Sequence, residues 1–134
     1  MLTKIDHIAI VVKDAEAALK NYEGMYSFKL KQKMEGPGGE FRAIHASLGD
    51  ITLEFLQPLK PGTAFARFLE EKGGGLHHVS FATDDIAGEM KNLNKRGKKL
   101  QNEEPLVVPG GSKIAFVHPS AGENVLIELV QRGK

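Results

Sequence analysis

Two histidines and two glutamates stand at matching places in two copies of one pattern. His7 lies in IDHIAIVVKD (Ile5–Asp14) and His78 in LHHVSFATDD (Leu76–Asp85). Glu54 lies in ITLEFLQ (Ile51–Gln57) and Glu128 in VLIELVQ (Val125–Gln131). The histidines are 71 positions apart and the glutamates 74, which marks a duplicated unit with a small insertion. Two imidazole nitrogens and two carboxylate oxygens form a plausible complete ligand set for one divalent cation. They suit cobalt, zinc, manganese, nickel or ferrous iron, whereas two histidines disfavour calcium. Such a set leaves one or two coordination positions for substrate oxygens. A single histidine in a strand is ordinarily a surface or core residue, but four repeat-related coincidences outweigh that reading. His77 adjoins His78 yet aligns with Asp6, so it faces away and reads as structural.

The elements that must position these residues repeat as well. Side chains alternate between the faces of a strand. His7, Ala9 and Val11 therefore oppose Ile8, Ile10 and Val12, and His78, Ser80 and Ala82 oppose Val79, Phe81 and Thr83. Thr52, Glu54 and Leu56 share a face, as do Leu126, Glu128 and Val130. The ligand faces thus carry small or polar neighbours, with the apolar stripes turned toward helices. Asp14 and Asp85 precede helical patterns and are good N-caps, since a carboxylate there accepts from a first-turn amide.

Three strand-like runs follow each helix: 27–34, 40–47 and 51–57, then 99–104, 113–118 and 125–131. IHASLGD (Ile44–Asp50) aligns with VHPSAGE (Val117–Glu123), which pairs His45 with His118; Gly49 and Gly122 supply the turns. The expected fold is α+β: two tandem βαβββ modules forming a cupped, eight-stranded mixed sheet around a metal site. Module 1 covers about 1–58, a linker with a short helix over Ala64 to Glu71 covers 59–73, and module 2 covers about 74–134.

Bulk properties fit one soluble domain that needs no staples. The chain has 134 residues, 41% hydrophobic and 26% charged, with no cysteine. A net charge of +1 gives no field for nucleic acid, and the basic stretch Lys91 to Lys99 reads as a solvated helix face. No apolar run approaches the roughly 20 residues needed to span a bilayer. The N-terminus is a poor secretory signal, so a cytoplasmic location is expected.

Nearly the whole chain resembles the vicinal oxygen chelate superfamily, and within it the epimerases that act on methylmalonyl-CoA. The likeness rests on IDHIAIVVKDAEAALKNY, LGDITLEFLQP, FARFLEEKGGGLHHVSFATDDI, Glu103–Pro105, GGSKIAFVHP and ENVLIELVQ. It implies one divalent ion per chain on His7, Glu54, His78 and Glu128, and a homodimer. It also implies interconversion of (2R)- and (2S)-methylmalonyl-CoA by proton abstraction α to the thioester, through a metal-stabilised enolate. Cation chelation suits that chemistry, because charge moves onto oxygen as the proton leaves.

Epimerisation needs a proton carrier on each face of the substrate carbon. Glu128 can serve on one. Some epimerases carry a glutamate on the third strand as the other, where this chain has Ala43. His45, two residues on and on the same face, is a candidate substitute, although its alignment with His118 argues for a structural role. Glu40 is a further candidate if the glycine-rich loop folds inward. Gly111, Ser112 and Lys113 offer amides and an ammonium to the acyl-CoA thioester, against the plainer reading of a hairpin turn. Two alternatives share the fold: a glyoxalase I-like lyase acting on a glutathione hemithioacetal, and a non-catalytic small-molecule-binding protein.

Overall fold

In a computed structural model, which describes residues 1–133, the repeated sequence gives repeated elements. Among the described residues these are β1 (Leu2–Val11), α1 (Ala15–Tyr26), β2 (Lys29–Glu35), β3 (Phe41–Leu48), β4 (Ile51–Pro58), α2 (Ala64–Lys72), β5 (Gly75–Thr83), α3 (Ile86–Lys95), β6 (Leu106–Val107), β7 (Lys113–Val117) and β8 (Ile127–Gln131). The fold is α+β, with eight strands in a mixed sheet and three helices, as the alternation and the repeat predict. No described helix is long and apolar enough to cross a membrane. The chain divides into two compact units: His7–His77, and Met1–Asp6 together with the residues from His78 onward.

In the first unit the strand order is β2-β3-β4-β1, with β1 parallel to β4 and the other pairs antiparallel. Ala15 and Leu19 of α1 pack on Ile44, Ala46, Leu53 and Phe55, joined by Ile8, Ile10 and Val12 of β1. This is the apolar stripe expected opposite His7. Phe55 is fully buried, and truncating such a ring costs about 3–5 kcal/mol. On the opposite face Ala9, Val11, Ala43 and Leu56 lie against Phe41 and against Phe65, Phe68 and Leu69 of α2. The linker helix therefore fills the Val11 end of the ligand-bearing face with aromatic rings.

In the second unit the order is β5-β8-β7-β6, again with one parallel pair, β5 with β8. Ile86 and Met90 of α3 pack on Ala115, Val117 and Leu129, with Phe81 and Leu93 alongside. The strand expected over 99–104 does not form. Leu100 makes only an isolated bridge to Val117, and β6 is the two-residue Leu106–Val107. The side chain of Asn102 takes over the pairing: its Oδ1 accepts from Phe116 N at 2.8 Å and its Nδ2 donates to Glu104 O at 2.7 Å. A side chain competing for backbone partners is what removes asparagine from strands.

Helices α1 and α3 are each held at their starts in two ways. Asp14 accepts from Ala17 N and Asp85 from Gly88 N, as expected of N-caps. In addition, Gln57 Oε1 accepts from Ala15 N and Gln131 Oε1 from Ile86 N, each at 2.9 Å. The glutamine three residues after each glutamate thus ties strand to helix, satisfying an amide that the helix cannot.

The segment Met1–Asp6 is fastened to the second unit. The Met1 amine reaches Asp84 Oδ1 at 3.0 Å and Glu89 Oε1 at 2.8 Å, and these partners raise its pKa. Thr83 Oγ1 donates to Met1 O, Thr3 Oγ1 donates to Ala82 O, and Arg132 pairs with Asp6.

Candidate active site

The register of each unit places its glutamate beside two residues of neighbouring strands. In the first unit Glu54 stands opposite Ala9 on β1 and His45 on β3. His7 Nε2 lies 3.4 Å from Glu54 Oε1, and His45 Nε2 lies 2.7 Å from Glu54 Oε2. An ionised carboxylate only accepts, so with Glu54 ionised, as a metal ligand must be, His45 Nε2 carries the hydrogen in that contact. The His7 and His45 rings lie nearly parallel, with centroids 6.1 Å apart and planes 19° from parallel.

In the second unit Glu128 stands opposite Ser80 on β5 and Phe116 on β7. His78 Nε2 lies 3.7 Å from Glu128 Oε2, while Ser80 Oγ donates to Glu128 Oε1 at 2.8 Å. Phe116 meets the His78 ring edge-on, with centroids 5.6 Å apart. Burial is deep: the side chains of His7, Glu54, His78 and Glu128 are 6%, 14%, 2% and 8% exposed. A buried carboxylate needs such partners, since burying an isolated ionised one is prohibitively costly.

These separations suit ligands of a shared cation. Donors each about 2.1 Å from a metal and at right angles to one another lie about 3 Å apart. Contacts of 3.4 and 3.7 Å are too long for strong hydrogen bonds and lie nearer the roughly 3.4 Å between tetrahedral donors at the same metal distance. The histidine–glutamate–histidine set of His7, Glu54 and His78 is of a kind that could hold a metal ion.

The register also locates the insertion and corrects one sequence alignment. Thirty-eight positions separate His7 from His45, and the same number separates His78 from Phe116. All three extra residues therefore lie between Phe116 and Glu128, in the β7–β8 connection. The β3–β4 hairpin turns through Gly49 and Asp50, with Leu48 opposite Ile51. Its counterpart runs from Val117 to Ile127 through a 3-10 turn at Pro119–Ala121. His45 thus corresponds to Phe116, not to His118, whose Nδ1 accepts from Ser120 N to cap that turn. Gly122 differs from expectation too: its φ is −121°, and the left-handed positions fall on Glu123 and Asn124. Gly122 is needed for space instead, because a Cβ there would collide with the carbonyl oxygen of Val125.

The remaining candidates are placed as follows. Ala43 is buried in the apolar cluster under α2 and brings no titratable group. Glu40 is exposed, beyond the 3-10 turn Pro37–Gly39, and its carbonyl accepts from Leu59 N. His77 sits between the edges of Phe65 and Phe68. Burial lowers its pKa, which the charge of Glu54 partly opposes. Gly111 and Ser112 form a tight turn, with Val108 N donating to Ser112 O and Ser112 Oγ accepting from Gly133 N. Lys113, which opens β7, is exposed. Sequence reasoning singled out His45 as a candidate proton carrier but not as the partner of Glu54 Oε2, and it missed Ser80 as the partner of Glu128 Oε1. The shared glutamines were visible as the last letters of both glutamate motifs.

Fold and site together define the class. The chain belongs to the Glyoxalase/Bleomycin resistance protein/Dioxygenase superfamily, whose model matches residues 6–116. Within it, the chain is similar to proteins named as epimerases. It is 31% identical over 133 residues to the ethylmalonyl-CoA/methylmalonyl-CoA epimerase of Cereibacter sphaeroides, covering 98% of this chain and 99% of that protein. It is 30% identical over 131 residues to the mitochondrial methylmalonyl-CoA epimerase of Homo sapiens, covering 97% and 74% respectively. Among solved structures, a Streptomyces coelicolor methylmalonyl-CoA epimerase in complex with 2-nitronate-propionyl-CoA superposes with a TM-score of 0.91 at 28% identity, covering 100% of both chains. These relatives are isomerases.

Proposed function

We propose that this chain is an isomerase that interconverts (2R)- and (2S)-methylmalonyl-CoA, with His7, Glu54, His78 and Glu128 holding one divalent cation. The supporting observation is the doubled pairing of a buried imidazole with a buried carboxylate, in a chain whose full-length relatives bear the epimerase name. Cobalt, zinc, manganese and nickel all suit the donor set. When bound, the cation supplies Lewis-acid stabilisation for the negative charge that develops on the thioester oxygen. Glu128 exchanges the proton at C2 on one face of the substrate. Its Oε1 is steadied by Ser80, and its low exposure keeps water from competing. Gly111, Ser112 and Lys113 contact the acyl-CoA; the Lys113 ammonium is the group open to a phosphate or carboxylate. A homodimer, implied by the family likeness, and the cytoplasmic location expected from the sequence complete the proposal. The lyase alternative has less support, since the relatives described above, matched over nearly all of this chain, are named epimerases.

The deciding experiment incubates metal-loaded protein in deuterated buffer with a single methylmalonyl-CoA epimer, and in parallel with the hemithioacetal of methylglyoxal and glutathione. Deuterium at C2 with loss of stereochemical purity is expected. Neither change with any of the four metals would sink the epimerase reading. Glu54→Ala and His78→Ala should each abolish stoichiometric metal binding while His77→Ala retains it; tight retention in both ligand variants would refute the ligand set.

A further inference from the structure

We infer that His45 is a positioning residue: by holding Glu54 Oε2 it fixes that carboxylate as a one-oxygen ligand, with Oε1 turned toward His7. The inference rests on the metal reading above and concerns residues of a single unit. Glu54 divides its two oxygens between two histidines, at 3.4 Å for His7 and 2.7 Å for His45. Only the second is a short hydrogen bond, of the length seen when a ring N–H meets a carboxylate. His45 is itself 7% exposed and lies opposite Glu54 in the β3–β4 register, so the backbone fixes both ends of the contact. Its ring lies alongside that of His7, which restricts the directions from which Glu54 can be approached.

An unheld carboxylate has two equivalent oxygens and can rotate to offer both to a cation. With Oε2 occupied, Glu54 offers one. That leaves more of the coordination sphere to a chelating substrate, and it offsets part of the charge that a second carboxylate brings to a buried site. The corresponding residue of the second unit is Phe116, which has no donor to give, and Glu128 is held instead by Ser80 from the other neighbouring strand. His45 is therefore a feature of the first unit and not of the repeat.

Cobalt titration of the purified apo chain by calorimetry tests this, using wild type, His45→Phe, His45→Asn, His45→Gln, Glu54→Gln and the His45→Phe/Glu54→Gln double variant. Circular dichroism melts monitor folding. Losing the outer hydrogen bond should weaken cobalt binding about 10- to 100-fold in His45→Phe, and equally in His45→Asn, whose shorter side chain withdraws the donor. His45→Gln, which extends an amide donor toward Oε2, should come within about threefold of wild type. In the Glu54→Gln background His45→Phe should cost less than about threefold, because an amide has only one oxygen to offer. Unchanged cobalt affinity in folded His45→Phe or His45→Asn would overturn the inference and leave the metal reading standing. Wild type that binds none of cobalt, zinc, manganese or nickel would remove both. A His45→Gln variant with full cobalt affinity but no exchange at C2 would make His45 a proton carrier, which overturns the inference that it acts only through Glu54.

Discussion

The two units carry the same strand topology, the same histidine–glutamate pair and the same glutamine clasp, yet they steady their carboxylates from opposite sides. Glu54 is held by His45 from the antiparallel neighbour β3, and Glu128 by Ser80 from the parallel neighbour β5. The empty places match: Ala9 stands in the first unit where Ser80 stands in the second, and Phe116 stands where His45 does. The backbone register thus dictates where a ligand can be. The choice of a donor beside it remains free, and that choice can make two equal carboxylates unequal. Both holds are short hydrogen bonds to a carboxylate, one from a ring N–H at 2.7 Å and one from a hydroxyl at 2.8 Å. In the proposed function Glu54 only holds the cation, whereas Glu128 also exchanges a proton.

The sharpest way to break this contrast is to make both carboxylates into amides. Glu128→Gln should lower deuterium incorporation at C2 about 10²- to 10⁴-fold, the range for losing a general acid or base, whereas Glu54→Gln should lower it less than about tenfold. Equal losses would show that the two units play equal parts. Ser80→Ala comes next. It withdraws the recorded donor to Glu128 Oε1 in a buried place and should destabilise the fold by about 1–3 kcal/mol in urea unfolding, with no such loss for a serine-to-alanine change at exposed Ser120. Smallest are the clasps. Gln57→Ala and Gln131→Ala should each cost about 1 kcal/mol by the same measurement, and by similar amounts. A marked difference between them would mean that the units do not share this device.

Much of this was readable from the letters. Alternation assigned Ile8, Ile10 and Val12 to the face under α1, and Asp14 and Asp85 announced both helices, because these depend on local geometry. No strand forms over 99–104 because its apolar content is slight and Asn102 satisfies Phe116 N with a side chain, a long-range contact that periodicity does not encode. Aligning IHASLGD with VHPSAGE put His45 beside His118, because turn residues look alike whatever strands they join. Only the pairing of Phe116 with Glu128 shows that the extra residues sit in that turn. The partners of Glu54 and Glu128 lay beyond reach for the same reason: nine positions separate Glu54 from His45 and 48 separate Glu128 from Ser80, and cross-strand neighbours follow register.

The fastening of Met1–Asp6 bears on how the chain reaches this state. The unit His7–His77 is contiguous and can begin to form from local contacts as soon as it is made. The other unit must wait: Thr83 reaches back 82 residues to Met1, and Arg132 reaches back 126 to Asp6. Closing loops of that length comes late and slows folding. A growing chain should therefore show protection of β3 and β4 against amide exchange well before β8 is protected, with Leu2 and Thr3 among the last backbone positions to settle, although they are among the first to be joined.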